Sequence, residues 1–394
     1  MMLYELTQNK RHMDKVIAVT HVIVALNRGG AEMMLRRLVE ENLKNASGFQ
    51  HVVISLTSVG DHGTALREQG VLVYALDLRG PAALIRGLFR LVALLRDTRP
   101  QIVQTWMVHS DFLGGLAARF AGVPRVIWGV RTTDYSVEAR STRVVRWLCA
   151  RLSCVVPDKI VCAAKASLES SANAGYALSK LMVIHNGFDV GALRSQVGTG
   201  AAVRQKLGFA PDALVIGCLG RYNPAKDHAN FVHAAGHLAA SYPSCRFLMV
   251  GRDLTPNNAE LRRLIQATGF ADRFIFLGER SDPAACLDAM DVFVLSSCTE
   301  GFPNVLGEAM AMGVPCVSTD VGDAALLLGG AGRVVPPRDS SALAQAVSQM
   351  LEMPAAERKA LGEKGRMRVE NEFSMAAAAQ KFNNLYQELL QQKS

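Results

Sequence analysis

The chain has 394 residues, more than one ordinary hydrophobic core serves, so two domains are the simplest division. Apolar residues make up 49% and charged ones 20%, a globular balance that excludes disordered and collagen-like classes. The net charge of +8 suits an anionic partner but does not choose among nucleic acid, acidic lipid and phosphorylated substrate.

Residues 1–14, MMLYELTQNKRHMD, are polar, lack the apolar core of a secretory signal and read as a loose tail, so the chain is expected in the cytoplasm. Beyond them, β-branched runs alternate with helical patterns, the signature of βαβ units around parallel sheets. Strands of the first half are expected at Val16–Val24, Val52–Leu56, Val71–Tyr74, Ile102–Thr105, Arg125–Gly129, Lys159–Cys162 and Met182–Ile184. After the first comes Asn27-Arg28-Gly29-Gly30-Ala31-Glu32, where Gly29 and Gly30 let the backbone approach a phosphate closely, although the same pattern also makes plain turns. Arg86, Arg90 and Arg96 interrupt the most apolar stretch, Ala82 to Leu95, so nothing reaches the roughly 18 apolar residues of a spanning helix.

The segment from Gln104 to Asp111 places His109 at a carboxyl strand end, where open α/β sheets bind ligands; a structural histidine is the alternative. Arg140, Arg143 and Arg146, with Trp147 beside them, suit a helix lying on an anionic membrane surface, with simple solvated charges as the alternative. Asn186 to Ala202 is rich in Gly, Asp and Ser without sustained period, and residues 190–202 are read as a linker between domains at 15–189 and 203–373.

Strands of the second half are expected at Leu214–Cys218, Arg246–Val250, Arg273–Phe276, Asp291–Leu295, Pro315–Ser318 and Arg333–Val335. Gly220-Arg221-Tyr222-Asn223-Pro224-Ala225-Lys226-Asp227 follows the first of them. Its guanidinium fork and ammonium point charge suit a diphosphate, with an exposed basic loop as the alternative. The loop Gly278-Glu279-Arg280 follows the third strand. Ser297 to Cys316, SCTEGFPNVLGEAMAMGVPC, follows the fourth and reads as strand, turn and helix. Pro303 suits the first turn, and Gly313 with Pro315 supplies the stop. The amides of Gly301, Phe302, Pro303's neighbour Asn304 and Val305 then lie at a helix N-terminus, which favours phosphate or sugar hydroxyls. Glu300 precedes that helix, and Glu308 lies more than a turn inside it.

Residues 374–394 have helical spacing and no following strand, which suits a last helix packing back across the domain junction. The eight cysteines are scattered without a C-x-x-C pair and read as buried thiols.

Glu300 and Glu308, in EGFPNVLGEAMAMGVP after a strand, resemble the E-x7-E signature of glycosyltransferase family 4. Gly29-Gly30, the Thr105 to His109 spacing and the Gly220-Arg221…Lys226-Asp227 loop are similar to that family's other motifs, in order along nearly the whole chain. The resemblance implies the GT-B fold: two Rossmann-like α/β domains facing across a cleft, the N-terminal one for an acceptor and the C-terminal one for a nucleotide diphosphate sugar. It implies sugar transfer with retention to a glycan or polyprenyl-linked acceptor in surface polysaccharide synthesis, with no cofactor, no metal and no nucleic acid partner. His109, Glu300, Arg221 and Lys226 would be catalytic. Gly29, Gly30, Arg221, Lys226, Arg280, Glu300, Gly301, Phe302, Pro303, Asn304, Val305 and Glu308 would bind the donor. The chain holds no D-x-D triplet, so Arg221, Lys226 and helix amides would replace a metal as charge stabilisers. A nucleotide-sugar epimerase of the same fold and a non-catalytic sugar-nucleotide-binding protein are the other readings.

Overall fold

The computed structural model describes residues 16–392 apart from Arg28, Arg79, Pro81, Ala82, Asp134, Ser136, Val137 and Glu138. The expected tail at residues 1–14 lies outside the described residues. Two compact units divide the chain: residues 1–187 with 378–394, and residues 188–377.

In the first unit, strands β1 (Ile17–Ile23), β2 (Phe49–Ser55), β3 (Leu72–Ala75), β4 (Ile102–Trp106), β5 (Arg125–Val130), β6 (Lys159–Cys162) and β7 (Leu181–Val183) form one sheet. Helices α1 (Gly30–Lys44), α2 (Gly60–Glu68), α3 (Ala83–Thr98), α4 (Val108–Ala121), α5 (Arg140–Leu152) and α6 (Lys165–Asn173) connect them. The spatial order is β3-β2-β1-β4-β5-β6-β7, all pairs parallel. Because parallel strands are covered on both faces, they read as continuous apolar runs.

In the second unit, helices α7 (Val190–Arg194) and α8 (Gly200–Lys206) come first. The sheet then consists of β8 (Leu214–Leu219), β9 (Cys245–Val250), β10 (Phe274–Gly278), β11 (Val292–Leu295), β12 (Cys316–Thr319) and β13 (Gly332–Val335). Helices α9 (His228–Ser241), α10 (Ala259–Ala267), α11 (Pro283–Asp288), α12 (Asn304–Ala311), α13 (Ala324–Leu328), α14 (Ser340–Glu352) and α15 (Ala355–Glu372) complete it. The order β10-β9-β8-β11-β12-β13 repeats the scheme of the first sheet. In each sheet the order reverses between the first and fourth strands, and ligands bind at such a switch point.

Residues 190–202, read as a linker, carry α7 and the start of α8 and lie within the second unit. Asp189 caps α7 by accepting from the Ala192 amide at 3.0 Å, and the Asp288 carboxylate accepts from the Gly198 and Gly200 amides. A Cβ on Gly200 would lie 2.3 Å from the Asp288 backbone, so this glycine serves close packing, not a loose connection.

The last helix, α16 (Met375–Gln391), belongs to the first unit from Ala378 onward. A buried polar chain fastens it there. The Trp106 indole N–H donates to His21 Nδ1 at 3.2 Å, His21 Nε2 lies 2.9 Å from His51 Nδ1, and His51 Nε2 lies 3.0 Å from the Asn42 amide. Asn42 in turn exchanges two hydrogen bonds with Asn383 of α16, and the Tyr386 hydroxyl donates to Gln104. Burial lowers both imidazole pKa values, that of His51 to about 4. Groups whose folded pKa is depressed stabilise above their unfolded value, near 6.5, and lose that contribution as pH falls through the folded value. Asp111, lifted to about 6 by burial, works in the opposite sense between its ordinary range and pH 6. Glu32, also raised by burial, acts in the same sense as Asp111 but at the acid end, so near neutrality the two imidazoles dominate and melting of this unit is expected to drop between pH 6.5 and 5. A His51→Gln variant, followed by circular dichroism, should flatten that drop.

Candidate functional site

In the second unit the two charged motifs leave β8 and β11, the adjacent strands at the switch point. After β8, the Asn223 side chain accepts from the Ala225 amide at 2.9 Å and, with Pro224, sets a single 3-10 turn over Pro224–Lys226. Asp227 follows in the left-handed region (φ 45°) and caps α9 by accepting from the Asn230 amide at 3.2 Å. After β11, the Cys298 amide donates to the Ala225 carbonyl at 2.9 Å and the Ser296 hydroxyl to the Lys226 carbonyl at 3.0 Å. These bonds bring Lys226 Nζ to 2.5 Å from Glu300 Oε1, which also accepts from the Ser297 hydroxyl at 2.7 Å. Lys226 and Glu300 are 74 positions apart in sequence, yet they form one ion pair whose two side chains are only 25% and 13% exposed.

Helix α12 starts immediately beyond. Phe302 stacks on Phe188 at 6.0 Å and packs against Phe373 at 5.8 Å, while Val305 and Pro303 are also buried. Their side chains therefore anchor the helix start, and what this turn can offer a ligand is backbone: first-turn amides with the positive end of the helix dipole. Asn304 opens the helix and half-buried Glu308 lies one turn further in. A Cβ on Gly307 would sit 2.1 Å from the Phe188 ring, so the helix can dock only with glycine there.

Two glycines that sequence reasoning missed brace these turns. Gly322, at φ 54°, packs so closely that a Cβ would lie 2.3 Å from the Gly301 carbonyl oxygen and 2.5 Å from that of Glu300. Gly251, at φ 145°, abuts the Gly220 carbonyl at 2.0 Å in the same sense, behind exposed Arg221. The available signal was a glycine directly or shortly after each of two further strands, β9 and β12.

Arg280 does not join this group. It follows β10 at the sheet edge, and its guanidinium fork is taken by Asp282 at 2.8 and 2.7 Å. Among the described residues, no group of three or more His, Cys, Asp and Glu side chains is placed to hold a metal ion.

In the first unit the corresponding turns leave β1 and β4, again adjacent. Gly29 is extended at the N-terminus of α1, Gly30 opens the helix, and the Glu32 carboxylate folds back to within 2.3 Å of where a Gly29 Cβ would stand. After β4, Met107 adopts φ 72°, and exposed His109 is the second residue of α4. Buried Asp111 holds this turn, its Oδ1 accepting from the Thr105 hydroxyl at 2.5 Å and the Gly129 amide at 3.1 Å. Beside it, Arg131 lies over Trp106 at 4.4 Å and donates to Asn186 Oδ1 at 2.9 Å.

The sequence comparisons decide what these motifs belong to. Residues 28–191 match the family described as Glycosyltransferase Family 4, and residues 213–353 match Glycosyl transferases group 1.

The chain belongs to glycosyltransferase family 4.

Among relatives of this family 4 chain, the UDP-Gal:alpha-D-GlcNAc-diphosphoundecaprenol alpha-1,3-galactosyltransferase of Escherichia coli is 29% identical over 60% of it. That match spans 62% of the E. coli enzyme's length. The putative glycosyltransferase EpsF of Bacillus subtilis (strain 168) is 26% identical over 77% of the chain and 79% of its own length. Among solved structures, Anabaena HepE, crystallised with UDP and with UDP-glucose, superposes with a TM-score of 0.82 in its UDP complex. That match has 20% identity and covers 94% of this chain and 100% of HepE. The two repeated parallel sheets are thus those of the GT-B fold.

Proposed function

We propose that this chain transfers a sugar, with retention of anomeric configuration, from a nucleotide diphosphate donor to a lipid-linked or glycan acceptor in polysaccharide or glycolipid synthesis. The observation that carries the reading is the Lys226–Glu300 pair, which joins the two charged motifs beside the N-terminus of α12. Arg221, Lys226 and the amides from Gly301 to Val305 supply donors for a diphosphate, and Glu300 and Glu308 supply acceptors for sugar and ribose hydroxyls. As the bond to the anomeric carbon breaks, negative charge grows on the departing diphosphate. Fixed cations and amides stabilise that charge with little reorganisation. The departing oxygen can take the acceptor's proton on the same face, which accounts for retention. The E. coli relative's UDP-galactose and the UDP-glucose held by HepE favour a UDP-linked donor.

The test is a donor screen by thermal stabilisation, since a ligand that binds only the folded state raises its melting point by mass action. UDP-sugars should give the largest shift, and UDP release should depend on added acceptor. Stabilisation with sugar interconversion but no acceptor-dependent release would favour the epimerase reading instead.

Among the described residues no helix is long and apolar enough to cross a membrane. We propose a peripheral contact, altered from the sequence reading. Arg146 does not face outward: it is 5% exposed, with its guanidinium 3.6 Å from the Tyr135 ring centroid. Six residues along a helix is about 120° short of two full turns, so Arg146 points inward when Arg140 points out. The exposed stripe of α5 is Arg140, Arg143, Val144, Trp147 and Arg151, and α3 adds Ile85, Arg86, Phe89 and Arg90. Interleaved large apolar and cationic side chains suit an anionic lipid surface. Each arginine near such a surface contributes about 1 kcal/mol, so Arg140→Glu with Arg143→Glu should weaken binding to phosphatidylserine vesicles by roughly 30-fold or more. Unchanged co-sedimentation of this variant would remove the proposal.

A further inference from the structure

An open cavity of about 350 Å³, with polar and apolar lining in about equal parts, lies in the second unit between the first turns of α9 and α14, lined among others by Asp227, Asn230, His233, Cys298, Arg338 and Ser340. Two helices of 14 and 13 residues direct their N-terminal ends at the same space. Each carries an aspartate cap bonded to its own third amide: Asp227 accepts from Asn230, and Asp339 from Ala342 at 2.9 Å. The first amides of both turns and the positive dipole ends still converge there. Around them the lining is rich in donors: the Arg338 guanidinium, the His233 imidazole and the Ser340 hydroxyl. Asn230 carries the strongest signal. It is 5% exposed, and its Nδ2 finds no hydrogen-bond partner among the described residues. A buried amide donor without an acceptor is unfavourable, and the soft terminal torsion of asparagine lets it turn toward whatever occupies the cavity.

We infer that this cavity is a second anion site that takes a phosphate-type oxyanion, distinct from Arg221 and the N-terminus of α12. The missing acceptor would be an oxyanion oxygen, met by Asn230, Arg338, Ser340 and the helix amides. Its wall includes Pro224 and Cys298, and the Ala225 carbonyl accepts from the Cys298 amide. An occupant would therefore brace the turn that carries Lys226. The binding claim does not depend on the transferase reading.

Cys298 is partly exposed and reports on the cavity. The full chain, without donor, is treated with a maleimide in millimolar inorganic phosphate or glycerol 3-phosphate, against chloride at matched ionic strength, and Cys298 alkylation is read by peptide mass spectrometry. Phosphate should protect Cys298 in the wild type and equally in Arg221→Ala. Arg338→Asn should need about tenfold more phosphate, the scale of one charge-assisted hydrogen bond, and asparagine tolerates the left-handed conformation at that position (φ 59°). Asn230→Asp should abolish protection while keeping the fold, because an acidic residue suits the first turn of a helix. Protection by inorganic phosphate alone, or by the ester as well, supports the site and tells its two sources apart. Protection by neither overturns it. So does protection lost in Arg221→Ala and retained in Arg338→Asn, which would place the anion in the donor site.

Discussion

Arg221→Ala is expected to lower turnover at saturating donor by about 10²-fold or more, the scale of removing one preorganised transition-state donor. Arg221 is exposed on a turn whose backbone is fixed elsewhere: the Gly220 amide donates to the Val250 carbonyl and the Tyr222 amide to the Arg252 carbonyl, both at 2.8 Å. The substitution should therefore leave the melting point nearly unchanged while reducing the stabilisation given by a UDP-sugar. Arg221→Lys restores the charge but not the planar fork, so it should recover only part of the loss. Wild-type turnover in a donor-saturated assay would remove Arg221 from the mechanism.

Gly322→Ala should act through both stability and chemistry. Its Cβ would meet two backbone oxygens, which cannot swing aside as a side chain can, and φ 54° adds left-handed strain. Overpacking of this kind costs about 1–3 kcal/mol and a left-handed alanine about 1–2 more. Relief has to come from moving the Glu300–Gly301 turn, and shifts near 1 Å at a catalytic turn can cost 10²-fold. Gly330→Ala is the control. It has comparable positive φ (77°), but its nearest neighbour is the Lys364 ammonium at 4.0 Å, so only the conformational strain applies. A Gly322→Ala protein with the Gly330→Ala melting point and full activity would show that the turn is not braced from β12.

Every expected strand is present because its sequence signal was a run of buried β-branched residues, and the boundaries moved where that signal failed. Strand β2 begins at Phe49, three residues ahead of the reading from Val52, because Gln50 and His51 look polar. His51 is nevertheless buried, its ring nitrogens satisfied by His21 and Asn42. A partner in another element cannot be read from local pattern. The same limit applies to residues 190–202, whose glycines suggested looseness: Asp189 just before them caps a helix, Asp288 from another element holds the Gly198 and Gly200 amides, and Gly200 packs.

The candidate site was legible in its motifs but not in its joints. Lys226 and Glu300 stood out because each lies in a recognisable turn after a strand. Their 2.5 Å pairing required the sheet order, which puts β8 beside β11. For Arg280 the sequence showed a loop after a strand, and the structure adds its ion pair with Asp282 two positions on. Gly251 and Gly322 carry no chemistry of their own, and only the carbonyls pressed against them reveal their task.

The attachment of α16 to the first unit has a consequence for biosynthesis. Asn383 and Tyr386 complete hydrogen bonds whose other halves, on Asn42 and Gln104, leave the ribosome hundreds of residues earlier. Residues 188–377 must be made in between, about 10–40 s at 5–20 residues per second. The half synthesised first is therefore the half finished last. In that interval Phe49 and Trp106 lack the aromatic cover of Tyr386 and Phe382, and a nascent chain stalled before residue 378 would offer that uncovered surface to chaperones.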